Sequence, residues 1–87
     1  MAVVWIPSLL RNLTQGKDSV IIPGSSLRQV INNMEDSYPG FKDKVMDGNR
    51  LSPTVSVAID GAIISMGLLE KVEDSSEISF LPAIGGG

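Results

Sequence analysis

The chain contains no cysteine and no histidine. The first absence excludes disulfide staples, thiolate metal sites and thiol nucleophiles. The second removes the side chain best suited to general acid–base work near neutral pH. An independent enzyme is therefore not expected, and no metal site is expected. Long apolar runs are missing too. Met1 to Ile6 is apolar but lacks a basic leader, and Pro7 interrupts it far short of a signal core or a membrane span. The protein reads as cytoplasmic, with no membrane partner. Basic charge is in deficit, 7 Lys and Arg against 10 Asp and Glu, for a net charge of −3. A nucleic-acid backbone calls for a basic face, so a protein partner, and a basic one, fits better.

With 87 residues the chain is one domain, whose folding buries about 60–65% of its extended surface around one modest core. Ala2 to Ile6, with two valines and a tryptophan, predicts a strand buried on both faces. Ser8 to Gly16 is too short for a periodic helix and reads as a loop with a turn. Ser19-Val20-Ile21-Ile22, ended by Pro23-Gly24, is a strand returning antiparallel to the first. Ser26-Leu27-Arg28-Gln29 has the form of a capping box. Behind it Leu27, Val30, Ile31 and Met34 recur at i, i+3, i+4 and i+7, the spacing of one buried helix face, and Pro39-Gly40 ends the run.

From Phe41 to Thr54 the pattern weakens, and we expect a turn of helix, then loop, with Asp47-Gly48-Asn49 an ordinary turn and not a calcium loop. Val55 to Ile59 alternates, Asp60-Gly61 is a hairpin signal, and Ala62-Ile63-Ile64 follows. Gly67 to Val72 is a short helical turn over the open end of the core. Glu73 to Ser76 is a solvated loop, and Glu77 to Leu81 is the last strand. The acidic pairs Glu35 with Asp36 and Glu73 with Asp74, and Glu70, fall on polar faces or loops. They read as solvated surface, not as paired acid and base.

The most informative stretch is the last, Ile78-Ser79-Phe80-Leu81-Pro82-Ala83-Ile84-Gly85-Gly86-Gly87. A half-buried strand reaches Pro82, which has no N–H to donate and is expected to stop the ladder. Residues 1–81 then form the folded body, and 82–87 a flexible tail able to reach about 20 Å when extended. Its glycines lack a Cβ, so a narrow channel admits them. They are not a phosphate loop, since the lysine, the hydroxyl residue and the following helix are absent. The reactive group on offer is the α-carboxylate, ionised above a reference pKa of about 3.3–3.7 and therefore a poor electrophile until activated, most economically as an acyl-adenylate.

Leu81-Pro82-Ala83-Ile84-Gly85-Gly86-Gly87 resembles the end of the ThiS/MoaD sulfur carriers, small ubiquitin-like proteins that finish in Gly-Gly. Ile6-Pro7-Ser8-Leu9-Leu10-Arg11 is similar to the opening of the branch that supplies sulfur for cysteine synthesis, and Leu27 to Pro39 looks like its helix. The family pair falls on Gly86 and Gly87, and Gly85 departs from the pattern, standing where a bulkier residue is usual.

The resemblance implies an α+β fold, the ubiquitin-like β-grasp, with a mixed sheet of about five strands packed on one main helix. It also implies that the first and last strands lie side by side at the centre of that sheet. Functionally it implies a cosubstrate and not an enzyme. An E1-like adenylyltransferase using ATP and magnesium joins AMP to Gly87, and a sulfur donor displaces the AMP to leave a thiocarboxylate. Gly85 and Gly86 enter the partner's active site, while Leu81, Pro82 and Ile84 dock beside it. Strand alternation leaves Leu81 either exposed or tucked beneath a loop. In the cysteine branch the acceptor is a cysteine-synthase-like enzyme carrying pyridoxal phosphate (PLP), and a JAMM-type metalloprotease frees the product. The other destinations are the large subunit of molybdopterin synthase, thiamin thiazole synthesis, or lysine amines if the chain is a protein modifier.

Overall fold

The computed structural model describes residues 1–82. The chain forms β1 (Ala2–Trp5), a 3₁₀ helix (Ser8–Thr14), β2 (Ser19–Ile22), α1 (Leu27–Ser37), α2 (Phe41–Val45), β3 (Met46–Asp47), β4 (Arg50–Leu51), β5 (Val55–Ile59), β6 (Ala62–Ile63), a second 3₁₀ turn (Gly67–Leu69) and β7 (Glu77–Pro82). The main sheet has five strands in the order β2-β1-β7-β5-β6, with β3 and β4 as a separate hairpin. β1 and β7 run parallel and the other pairs antiparallel. This is the expected β-grasp, with the first and last strands side by side at its centre.

Period-two alternation sends Ala2, Val4 and Ile6, Val20 and Ile22, Ile78 and Phe80 to one face of the sheet, all buried. The helix stripe of Leu27, Val30, Ile31 and Met34, none more than 1% exposed, lies in the same core. Phe41 at the start of α2 meets Phe80 of β7 edge to face, with ring centroids 5.3 Å apart. Gly24, just ahead of the helix, has φ +152, and a Cβ there would lie 2.8 Å from Val30 Cγ2 and 3.0 Å from the Val30 backbone nitrogen. The chain can enter α1 this closely only at glycine.

The first strand is not buried on both faces. Val3 is half-buried and Trp5 is 42% exposed, because the sheet has helices on one side only. Its other face meets solvent, and there the Trp5 indole N–H donates to Glu77 Oε1 at 3.0 Å. The capping box forms in part. Ser26 Oγ accepts from the Gln29 amide at 3.3 Å, but Gln29 Oε1 reaches back to the Ser25 amide at 2.9 Å instead of that of Ser26. Ser26 is held in an isolated antiparallel bridge with Lys71, flanked by Leu27 N–H to Glu70 O and Val72 N–H to Ser25 O. That bridge ties the helix start to the 67–72 segment, whose Leu68 and Val72 close the open end of the core.

Two segments expected as irregular are regular. Ser8–Thr14 is a 3₁₀ helix, ended by Gln15 in the left-handed region and anchored by fully buried Thr14, whose Oγ1 donates to Lys17 O at 2.9 Å. Met46–Leu51 is a miniature hairpin turning at Gly48, whose φ of +67 suits glycine. Both escape a periodicity argument because neither spans enough residues to repeat.

Glu35 is not idle surface. Its carboxylate accepts from the amides of Gly40, at 3.1 Å, and Lys42, at 2.8 Å, satisfying donors that open α2. The Lys42 amide first, then that of Gly40, with the Lys42 charge adding to both, holds its pKa below the usual glutamate range.

Two measurements check this account. Phe41→Ala should cost about 3–5 kcal/mol by analogy with other buried aromatic deletions, a large share of the roughly 4–13 kcal/mol typical for a chain this size. Urea unfolding followed by circular dichroism reads it, and a change no larger than that of a surface substitution contradicts the packing. Because the Glu35 pKa is lowered on folding, its contribution is fully present above the ordinary value near 4.3 and is lost as pH falls through the lowered one. Glu35→Gln should therefore lower the melting temperature at neutral pH and leave a flatter acid limb below about pH 4. Identical acid limbs for the two proteins count against the cap.

Candidate functional site

The chain approaches its carboxyl end along β7, and the support of that strand changes partway. β1 pairs with it only through Val3↔Glu77, Val4↔Ile78 and Trp5↔Ser79. Pro7 then carries the chain away into the first 3₁₀ helix, and on the β2 side of the strand Ile6 N–H donates to Asp18 O at 2.9 Å. β5 continues alongside, pairing Val57↔Phe80, Ser56↔Leu81 and Val55↔Pro82. From Leu81 on, the strand is thus held along one edge only. Pro82 does not stop the ladder short: it pairs with Val55 on a stretch that β1 has left, where a missing N–H is tolerated as on an edge strand.

The space vacated by β1 is a cleft of about 320 Å³. Pro7, Leu9 and Leu10 line it on one side, Val55, Phe80, Leu81 and Pro82 on the other, and Lys44 and Val45 of α2 and Thr54 also border it. Leu9 is 92% and Leu81 42% exposed. Of the two positions left open for Leu81, the structure shows the exposed one. Two large aliphatic side chains held in water beside a strand end are the usual mark of an interaction surface.

Leu81 and Pro82 are brought together here. Ile84, Gly85, Gly86 and Gly87 lie outside the described residues. Nothing in the residue pattern singles out Leu9, Val55 or Lys44 for this cleft. Leu9 falls with Leu10 and Leu13 near one helical face, yet in the observed helix Leu10 and Leu13 pack on the core while Leu9 turns outward. The 3₁₀ period of about 3.0 residues keeps Leu10 and Leu13 in line and leaves Leu9 out.

Charge is distributed unevenly along β7. At its start Glu77 N–H donates to Asp60 Oδ1 and Asp60 N–H to Glu77 O, both at 2.9 Å, and the Met1 ammonium lies 3.5 Å from Asp74. At its end, about 17–20 Å away along a six-residue strand, no residue lining the cleft is acidic, and Lys44 is among them. The net negative charge is therefore not a property of the tail root, and a partner there meets an apolar surface with a cation beside it. Among the described residues no group of acidic side chains is arranged to hold a metal ion, and no helix is long and apolar enough to cross a membrane.

The comparisons with known proteins agree with this geometry. The family model described as "ThiS family" matches residues 4–87. The sulfur carrier protein CysO of Mycobacterium tuberculosis is 33% identical over 89 residues, covering 97% of this chain and 96% of the relative. The crystal structure of the Amycolatopsis orientalis BexX/CysO complex contains a chain that superposes with a TM-score of 0.92 at 29% identity, each chain covered in full at 100%. The small archaeal modifier protein 1 of Methanosarcina acetivorans has a TM-score of 0.82 at 25% identity, over 99% of this chain and 95% of that one. With a match along nearly its whole length and the same ubiquitin-like β-grasp, this chain belongs to the ThiS family.

Proposed function

We propose that the protein is a sulfur carrier whose terminal glycine, Gly87, is the group on which partner enzymes act, and that the sulfur serves cysteine synthesis. The observation that carries this reading is the root of the tail: a strand fixed at the centre of the sheet, released along one edge over its last residues, and flanked by an apolar cleft. The rigid root fixes where the tail leaves the body, which reduces the entropy lost when a partner takes hold. The 33% identity to a CysO sulfur carrier supports the cysteine branch, and a CysO chain in complex with a second protein supports action through a partner.

In this scheme the Gly87 carboxylate attacks the α-phosphorus of ATP on an E1-like adenylyltransferase that also holds magnesium. Pyrophosphate leaves, and the acyl-adenylate forms. A sulfur donor then attacks the carbonyl carbon and expels AMP, leaving a thiocarboxylate. The glycines at Gly85 and Gly86 let the tail thread a narrow channel, while Leu81, Pro82 and Ile84 dock at its mouth with Leu9. The acceptor is an electrophile on a cysteine-synthase-like enzyme that carries PLP, and a JAMM-type metalloprotease releases the product. The chain is thus a cytoplasmic cosubstrate, not an enzyme.

A second reading has one observation in its favour, the likeness to the small archaeal modifier protein. As a modifier the chain would pass the same adenylated glycine to lysine amines, and isopeptide-linked conjugates in cells would then be the product.

Incubation with ATP, a sulfur donor and the cognate activating enzyme, followed by intact-mass analysis, should show one oxygen replaced by sulfur. Deleting Gly87 should abolish that product without altering the melting temperature, because the described core is built from residues no later than Phe80. Sulfur transfer by the truncated chain would overturn the assignment. Leu9→Asp should lower kcat/KM for activation about tenfold or more, the scale of losing one buried leucine contact. The melting temperature should not fall, since Leu9 is already exposed. An unchanged kcat/KM removes the cleft from the docking surface.

A further inference from the structure

A second cleft, smaller and of different chemistry, opens between α1, α2, the β3–β4 turn and the second 3₁₀ turn. Its volume is about 140 Å³, close to that of a cavity known to hold benzene, so it accommodates a group of about half a dozen non-hydrogen atoms. Buried Ile31 and Leu68 contribute apolar surface to it, and Arg28, Asn32, Lys42 and Asn49 contribute the polar part. None of the residues lining it is acidic, in a chain whose net charge is −3.

The Lys42 charge acts on the Glu35 carboxylate, but among the described residues no salt bridge closes off either cation of the cleft, Arg28 or Lys42. Lys42 is half-buried, and its ammonium is held in place by donating to Asn32 Oδ1 at 2.8 Å, which leaves further N–H donors free. Arg28 stands one turn before Asn32 on α1, hence on the same side of that helix. Neighbouring acids also have other partners. Glu35 accepts from the backbone amides of Gly40 and Lys42, and Asp47 faces Arg50 at 3.9 Å. Two like charges sharing one cleft repel, and an anion between them removes that cost and gains charge-assisted hydrogen bonds.

We propose that this cleft is a binding site for a single oxyanion group, a carboxylate or a phosphate, gripped by Arg28 and Lys42, with Asn32 and Asn49 as further polar partners. It is separate from the tail-root cleft, although α2 contributes to both, Lys42 to one and Lys44 to the other. A group bound here would leave the tail-root cleft unobstructed, since the two share no lining residue. The site therefore suits an acidic side chain on a protein already holding the tail, or a free phosphate.

The test titrates the ¹⁵N-labelled full chain with inorganic phosphate, and separately with propionate, against sodium chloride at matched ionic strength. Amide shifts at Asn32, Gly48 and Asn49 should saturate in the millimolar range with at least one of the two anions. Affinity should fall about tenfold or more in Arg28→Gln with Lys42→Gln, the loss expected for charge-assisted bonds. Phosphate binding more tightly identifies a phosphoryl ligand, and propionate a carboxylate, both within the proposal. Lys71→Gln, outside the cleft, should change nothing. Shifts that chloride reproduces, that never saturate, or that survive the double substitution overturn the site. Because the readout needs no activating enzyme, it stands or falls independently of sulfur transfer.

Discussion

At Ile78 and Ser79 the last strand is paired along both edges, to β1 in parallel and to β5 antiparallel, and at Leu81 and Pro82 only β5 remains. That change of support is a consequence of Pro7. Its fixed φ and missing N–H turn the first strand out of the sheet, which frees one edge of the last strand near Pro82. Mid-sheet hydrogen bonds and the Phe80–Phe41 contact hold the root, while an open edge faces the cleft. A tail leaving from an edge strand would lack the first property, and one leaving from a fully paired strand would lack the second.

A single layer of helices imposes the next constraint. In so small a chain α1 covers one face of the sheet, and the other faces water with Ile21, Trp5 and Ile63 exposed on it. Singly, such exposed apolar residues need no function. Trp5 also makes the contact that uses its polar edge, to Glu77. What sets the tail root apart is that Leu9 and Leu81 stand beside a concavity, where a partner can bury both at once.

Much of this was legible in the residues. The helix stripe from Leu27 to Met34, the hairpin at Asp60-Gly61 and the alternation of the final strand each repeat often enough to reveal their period, and each appears where expected. The strand order is another matter. Parallel pairing of β1 with β7 joins residues more than seventy positions apart, and no local pattern encodes that; it came with the family likeness. The first strand shows the limit of composition, since an unbroken apolar run reads alike whether its outer face meets a second layer or water. At the tail root, Leu81 and Pro82 could be named from their closeness to the glycines. Leu9 could not, because its exposure depends on a 3₁₀ helix too short to display a period.

The distribution of charge shows why a net value is a poor guide to partners. Ten acidic residues outnumber seven basic ones, which taken alone suggests a basic partner throughout. Yet Asp60, Asp74 and Glu77 gather around the start of β7, and neither cleft is lined by any acid. Exposed charges more than about 8–10 Å apart are largely screened from one another at physiological salt. The acidic end therefore cannot set the potential at the tail root, which lies about 17–20 Å away along the strand. The charged residue that lines the cleft there is Lys44. A partner surface that fits this side would combine apolar contacts with acidic groups of its own, complementary to the cleft and its lysine.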